Sequence, residues 1–324
     1  MDLKLITSLN YWKGLSQLIR VPNLLIIILT QILLRYCIIQ PYLYSGEMRA
    51  ITPLYDFLLL ILVTVIIAAG GYVINDYFDV KIDTINHPGK LVINKLITPH
   101  GAILLHIILN IVAILLGFYL AYRVKAISFG LIFPFISGLL WIYSAKYKRM
   151  LFWGNFVVSF LSAFVILIVW LFEFFWLRLH AGLFISDLSE IRWVTYIFLG
   201  YALFAFLVSM VREIIKDMED WDGDKSYGCK TLPVVAGIKL TRFIVAAIII
   251  VTMLLLGYTQ FLLYRLNLML ASLYFLVTMQ CVTIYLLVKV FYANEKQDFH
   301  FLSNLCKLIM VAGILSMEAI LISN

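Results

Sequence analysis

Asn75-Asp76-Tyr77-Phe78-Asp79-Val80-Lys81-Ile82-Asp83 is the stretch from which the rest of this chain can be read. It closes a long apolar run, Leu54 to Ile74, that carries no charge after Asp56. A membrane-spanning helix therefore reaches water where the acids begin. At about 100° per residue, Asn75, Asp76, Asp79 and Asp83 share roughly a quarter turn of one helix face. Three carboxylates on one face repel each other, so the face calls for cations. Oxygen ligands of this kind suit Mg²⁺, which keeps several waters and takes further ligands from a substrate phosphate. The plainer reading is a solvated helix end among lipid headgroups, and this stretch alone does not choose between the two.

A second stretch shifts the balance. Arg212-Glu213-Ile214-Ile215-Lys216-Asp217-Met218-Glu219-Asp220-Trp221-Asp222-Gly223-Asp224 again closes a long apolar run. A continuing helix would place Asp217, Asp220 and Asp224 on one face, with Glu213 above them and Asp222 pointing elsewhere. Two acid faces, each at the exit of a membrane helix, are harder to explain as solvated ends.

Composition sets the class. The chain has 324 residues, 64% of them hydrophobic and 13% charged, with a mean hydropathy of +1.00. Soluble domains are roughly 45–50% apolar. This is the composition of an all-α polytopic membrane protein, forming a single transmembrane domain over residues 1–324. Nine stretches have the length to span, near 22–39, 54–75, 100–122, 124–144, 154–174, 192–215, 239–258, 268–291 and 301–322. The break at 122–125 is so short that the third and fourth helices should be antiparallel neighbours. Residues 1–20 read either as an interfacial segment, with Leu5, Leu9, Trp12 and Leu15 at helical spacing, or as a lead-in to the first helix. No cleavable signal peptide is expected. The four cysteines show no CxxC spacing, which argues against a zinc site or a disulfide framework.

With nine spans, both acid clusters fall on the side of the N-terminus, in loops of about 76–99 and 216–238. Of the 25 Lys and Arg residues, 18 fall on that side, which marks it as cytoplasmic and the protein as integral to the cell membrane. Basic residues are interleaved with the acids: Lys81, Lys90, Lys216 and Lys225, and between the clusters Tyr143-Ser144-Ala145-Lys146-Tyr147-Lys148-Arg149. Any one of these lysines is explained by anchoring at the membrane surface. Together with carboxylates they also suit a metal–phosphate complex, in which metal and ammonium share the phosphate charge. Arg20 fits snorkelling at the interface. Asn23, inside the first span, needs a partner or a wet cavity. Asn155, Ser159 and Ser162 line one side of the fifth span, for helix packing or for a cavity. Glu173 and Glu318 read as interfacial.

Asn75-Asp76-xx-Asp79-xxx-Asp83, followed by Asn86-His87-Pro88-Gly89-Lys90, resembles the first signature of the UbiA superfamily of intramembrane prenyltransferases. Asp220-xxx-Asp224 is similar to its second aspartate motif, and Gly228-xx-Thr231-Leu232-Pro233 to the stretch that follows. The resemblance implies nine helices bundled around a central cavity that opens into lipid, with two Mg²⁺ held between the motifs. It implies transfer of a prenyl group from a polyprenyl diphosphate to a lipophilic or phosphorylated acceptor, with no role for nucleic acid. Carried onto this chain, Asn75, Asp76, Asp79, Asp83, Asp220 and Asp224, with Asp217, would form the metal shell, and Asp76, Asp79, Asp220 and Asp224 the catalytic core. Tyr143 and Lys148 resemble the family's diphosphate-contacting pair, with Lys146 and Arg149 as alternatives to Lys148. Lys90 stands where many members carry Arg. The runs from Arg212 to Asp224 and from Arg20 to Asn23 resemble the branch that prenylates geranylgeranylglyceryl phosphate, which adds Asn23, Asn155, Arg212, Lys216 and Lys225 as substrate-binding candidates. An aromatic or quinone precursor is the alternative acceptor. A cation-coupled transporter is the rival of another class, but its charges would lie at mid-depth on broken helices.

Overall fold

The computed structural model describes residues 12–43, 52–86, 91–180 and 188–323. Among them nine helices are long and apolar enough to cross a membrane, and no strand is present. A short helix over residues 12–18, α1, precedes them. The spans are α2 (Val21–Leu43), α3 (Leu54–Asn86), α4 (Pro99–Arg123), α5 (Ile127–Ala145), α6 (Trp153–Arg178) and α7 (Leu188–Glu219). After the short α8 (Trp221–Ser226) come α9 (Leu232–Arg265), α10 (Met269–Tyr292) and α11 (Lys296–Ser323). All nine expected spans are present, several of them longer than their apolar runs. α3 in particular runs on past Ile74 through Asp83, so the first acid motif is itself helical.

The chain folds as two compact units. The first comprises residues 1–28 and 52–148. Its α3 packs against α4 and α5, and α4 and α5 pack on each other, as the short 122–125 break requires. Thr98 accepts the Gly101 N–H at the start of α4, and Pro99 fills the first helical turn. Leu18 of α1 joins Val73, Val92, Ile93, Ile97 and Ala102 in a small core. The inner face of α1 is thus bound to the segment that follows the first motif, while Trp12 stays 66% exposed.

The opposite end of this unit is held by a buried charge. Asp56 is 0% exposed. It receives Arg123 in a two-pronged contact, Nε at 3.1 Å to Oδ1 and Nη2 at 2.8 Å to Oδ2. Such paired geometry is the strong form of the interaction. Arg123→Ala would strand the Asp56 carboxylate without its partner. Because Arg123 is partly exposed and water can enter, we expect a loss of stability smaller than the full buried-pair penalty. A lowered thermal midpoint of the solubilised protein checks this.

The second unit comprises residues 29–51 and 149–324. Its main core lies among α7, α9, α10 and α11, with Ile214, Ile215, Val245, Val290, Leu302 and Cys306 essentially sealed. α6 packs along α7. Two spans carry a π-helical turn, Leu34–Ile39 in α2 and Phe275–Gln280 in α10. α9 is broken at Gly237, whose φ of 78° and ψ of 155° favour glycine, so residues 232–236 form a separate first turn. Glu173, read from sequence as interfacial, is 2% exposed and lies in the electrostatic field of the buried Arg35. An acid this deep needs a cation, and the sequence reading missed that pairing. Glu318 is exposed.

Candidate active site

Asp79 is the most deeply placed acid of the first motif, 2% exposed. Helical spacing puts Asn75 one turn before it, and Asn75 Nδ2 donates to Asp79 Oδ2 at 2.9 Å. The same oxygen accepts the Lys148 ammonium. Lys148, one of the three basic residues left open by the sequence, thus reaches the first motif. Burial works against the charge on Lys148. The carboxylate of Asp79, then Tyr143 and Asp83, outweigh it and raise its pKa above the ordinary lysine value. Tyr143 and Lys148 thus sit in one electrostatic neighbourhood with Asp79 and Asp83.

Asp76 has its own cation. Arg20 Nη2 donates to Asp76 Oδ1 at 2.7 Å, and the guanidinium lies 4.9 Å from the centre of the Tyr72 ring. Burial opposes the Arg20 charge, but Asp76 and Tyr72 prevail and its pKa is raised. This corrects the snorkelling reading of Arg20. Its backbone is turned by a positive φ of 54°, which lets the side chain reach α3 instead of solvent. A signal was present in the sequence: Arg20 lies on the same membrane side as the first motif. Repulsion along the motif is therefore relieved by Arg20 and Lys148. Asn23 is half-buried on the first turn of α2, its N–H bonded to the Arg20 carbonyl. Lys90 lies outside the described residues.

In the second motif the helix does not run straight on. α7 ends at Glu219, and Asp220 takes a φ of −93° and ψ of 8° before α8 begins. Two helical hydrogen bonds still cross the bend, Asp220 N–H to Lys216 and Asp224 N–H to Asp220. Asp217 and Asp224 consequently still face each other electrostatically, as one face predicts, and Glu213 and Lys216 act on Asp217 too. Asp224 is buried, and the Cys229 N–H returns to its carbonyl. Asp222 is exposed.

The structure places Asn155 in a helix–helix contact. It is 5% exposed in the α6–α7 packing, and its Nδ2 donates to Asp217 Oδ2 at 2.7 Å. Two turns deeper, Ser162 and Ser209 bond across the same pair of helices at 3.0 Å. Arg212 pairs with its neighbour Glu213. The Lys225 ammonium lies 4.7 Å from the centre of the Trp221 ring, so its nearest partner is aromatic. Lys216 is half-buried beside Asp217.

Among the described residues no three His, Cys, Asp or Glu side chains stand together as a metal-binding group. The chemistry of the donors nevertheless fits Mg²⁺: the first motif offers carboxylate and amide oxygens and the second carboxylates, with no thiol or imidazole among them.

The sequence profile described as the UbiA prenyltransferase family matches residues 44–305, well over half of the chain. The chain belongs to the UbiA prenyltransferase family. Curated relatives within reach of this UbiA protein include the digeranylgeranylglyceryl phosphate synthase of Saccharolobus solfataricus, 34% identical over 70% of each chain. The enzyme of the same name from Methanothermobacter thermautotrophicus is 34% identical over 63% of this chain and 65% of its own length. The match thus spans just under two thirds of that relative. Among solved structures, one described for digeranylgeranylglyceryl phosphate synthase in membranes aligns at a TM-score of 0.64. It is 24% identical and covers 95% of this chain and 97% of its own. A UbiA homolog from Archaeoglobus fulgidus bound to GPP and Mg²⁺ aligns at 0.54 and 14% identity, covering 94% and 99%. At these identities the structures establish the shared fold of the UbiA chain, a multi-pass helical membrane protein.

Proposed function

We propose that this UbiA protein transfers a prenyl group from a polyprenyl diphosphate to a phosphorylated glyceryl ether acceptor of the geranylgeranylglyceryl phosphate type. The observation that carries the reading is the arrangement of Asp79: a sealed carboxylate with Asn75 and Lys148 on one oxygen, one turn from the Asp76–Arg20 pair. Acids and cations alternate there, as a metal diphosphate requires and as plain membrane anchoring does not. The names of the curated relatives support the acceptor class. We place the motif ends on the cytoplasmic side of the cell membrane, because the basic residues concentrate there.

Asn75, Asp76, Asp79 and Asp83 of the first motif, and Asp217, Asp220 and Asp224 of the second, would hold Mg²⁺. When bound, the metal supplies Lewis-acid neutralisation of the diphosphate charge. Lys148, kept protonated beside Asp79, offers a second positive centre to the departing diphosphate. Arg20 offers a planar pair of donors, stacked and so already oriented. Asn155 holds Asp217 in one orientation. As the allylic C1–O bond breaks, the diphosphate leaves with the bonding electrons. The acceptor oxygen bonds to C1 and its proton is lost. The apolar helices keep water from capturing the allylic carbon first.

The test is incubation of membranes carrying the protein with labelled geranylgeranyl diphosphate and three acceptors: geranylgeranylglyceryl phosphate, an aromatic acid and a quinone precursor. A labelled diether phosphate is expected, and none after chelation of divalent ions. Product only with an aromatic acceptor would move the assignment to that branch. No product with any acceptor would overturn prenyl transfer.

A further inference from the structure

We propose that His106 is a positioning residue for the first acid motif: it fixes the rotation of α3 about its own axis, and so the direction in which Asp76 and Asp79 leave that helix. The inference rests on reading the motif as the diphosphate-handling site. Between Phe57 and Ile74, α3 is apolar on every side apart from Thr64 and Tyr72. Hydrophobic burial alone therefore gives little preference among rotations, because each presents much the same surface. Directional bonds have to choose one: the Asp56–Arg123 pair does so at the far end of α3, and a further bond is needed close to the motif.

His106 supplies that bond. It lies within α4 and is 5% exposed, where a polar ring needs a partner. Its Nδ1 is 2.8 Å from the carbonyl oxygen of Gly70. A carbonyl only accepts, so Nδ1 carries the proton. Asn110, one turn on, donates through Nδ2 to the His106 carbonyl at 2.8 Å and accepts the Ser137 hydroxyl of α5. A side chain at position 70 would put its Cβ 2.8 Å from Asn110 Nδ2, so glycine is what lets α4 come this close. The ring of His106 also rests against Trp141, centroids 5.3 Å apart, and Trp141 meets Phe78 edge-on at 5.7 Å. Phe78 lies inside the motif, between Asp76 and Asp79. Beyond the ion pairs already described, α3 is thus gripped at Gly70, one turn and a half below the acids, and at Phe78 among them. Neither His106 nor Trp141 belongs to the acid, amide and lysine set assigned to the chemistry.

The test compares His106→Asn with His106→Gln. The Asn Nδ2 sits where the His Nδ1 does, whereas the Gln amide carries its donor one carbon too far. Hydrogen exchange across residues 70–79, measured without metal or substrate, is expected to match wild type in His106→Asn and to be faster in His106→Gln. Displacement of a reacting group by about an ångström can lower a rate by up to about a hundredfold. We expect kcat to fall at least about tenfold in His106→Gln and to stay near wild type in His106→Asn. Should His106→Gln not fold, Trp141→Leu loosens the second grip alone and is expected to speed exchange at residues 76–79 and lower kcat. Wild-type exchange and kcat in His106→Gln overturn the role of His106, as does faster exchange in His106→Asn, which keeps the donor at the same place. Absence of product from the wild-type protein would instead fault the functional reading, leaving the exchange comparison to judge His106.

Discussion

In membranes carrying Asp76→Ala or Asp220→Ala, prenyl transfer is expected to fall to background, a loss of at least about a hundredfold, while the protein still inserts. The two changes remove one carboxylate from each motif. In the proposed site Asp76 would do more than offer oxygens to a metal. It fixes Arg20, whose guanidinium otherwise keeps only its stacking on Tyr72. Asp220 stands at the bend between α7 and α8, where its backbone carries hydrogen bonds to either side. Alanine keeps that backbone and deletes only the carboxylate, so a loss of activity there speaks to chemistry and not to the fold. Immunodetection of equal protein in both membranes, with the labelled product assay, separates loss of activity from loss of protein. If either variant keeps transfer within a few-fold of wild type, the acid it lacks is not part of the metal shell.

The second large effect lies away from the motifs. Glu173→Gln is expected to lower the thermal midpoint of the protein, because it removes the negative charge that acts on the buried Arg35 guanidinium. Glu173 is 2% exposed and Arg35 is 4% exposed, and the two interact electrostatically. Neutralising Glu173 leaves the guanidinium inside α2, in its π-helical turn, without compensating charge. Replacing both residues together by leucine is expected to recover most of the loss, because an apolar pair of similar volume often matches a buried ion pair. Thermal midpoints of the two solubilised variants check this. Equal stability of Glu173→Gln and wild type would contradict the pairing.

Much of the fold was legible because lipid imposes one rule on backbone polar groups and so one helix per apolar run. The nine runs became nine helices, and the short 122–125 break became an antiparallel pair. Helix ends were less legible. α3 carries its acids in helical register well past the apolar run, and nothing in Asp79 or Asp83 marks a stop. The bend at Asp220 was equally silent, since neither glycine nor proline stands there. In the site, spacing brought Asn75 to Asp79 correctly, because both lie on one helix. Partners from distant segments could not be read that way. Arg20 looked like an anchor, Glu173 like an interfacial acid, and Lys148 was named with Lys146 and Arg149 left open beside it. His106 and Asn110, one helical turn apart within an apolar span, carried a readable signal of buried polarity that the two acid motifs overshadowed.

The most direct measurement is calorimetric binding of an unreactive geranylgeranyl diphosphate analogue to the purified protein, with and without Mg²⁺. The expected result is tight binding only in the presence of Mg²⁺, lost in both Asp76→Ala and Asp220→Ala. Binding that ignores Mg²⁺, or that survives the loss of either carboxylate, would contradict a metal diphosphate held by both motifs.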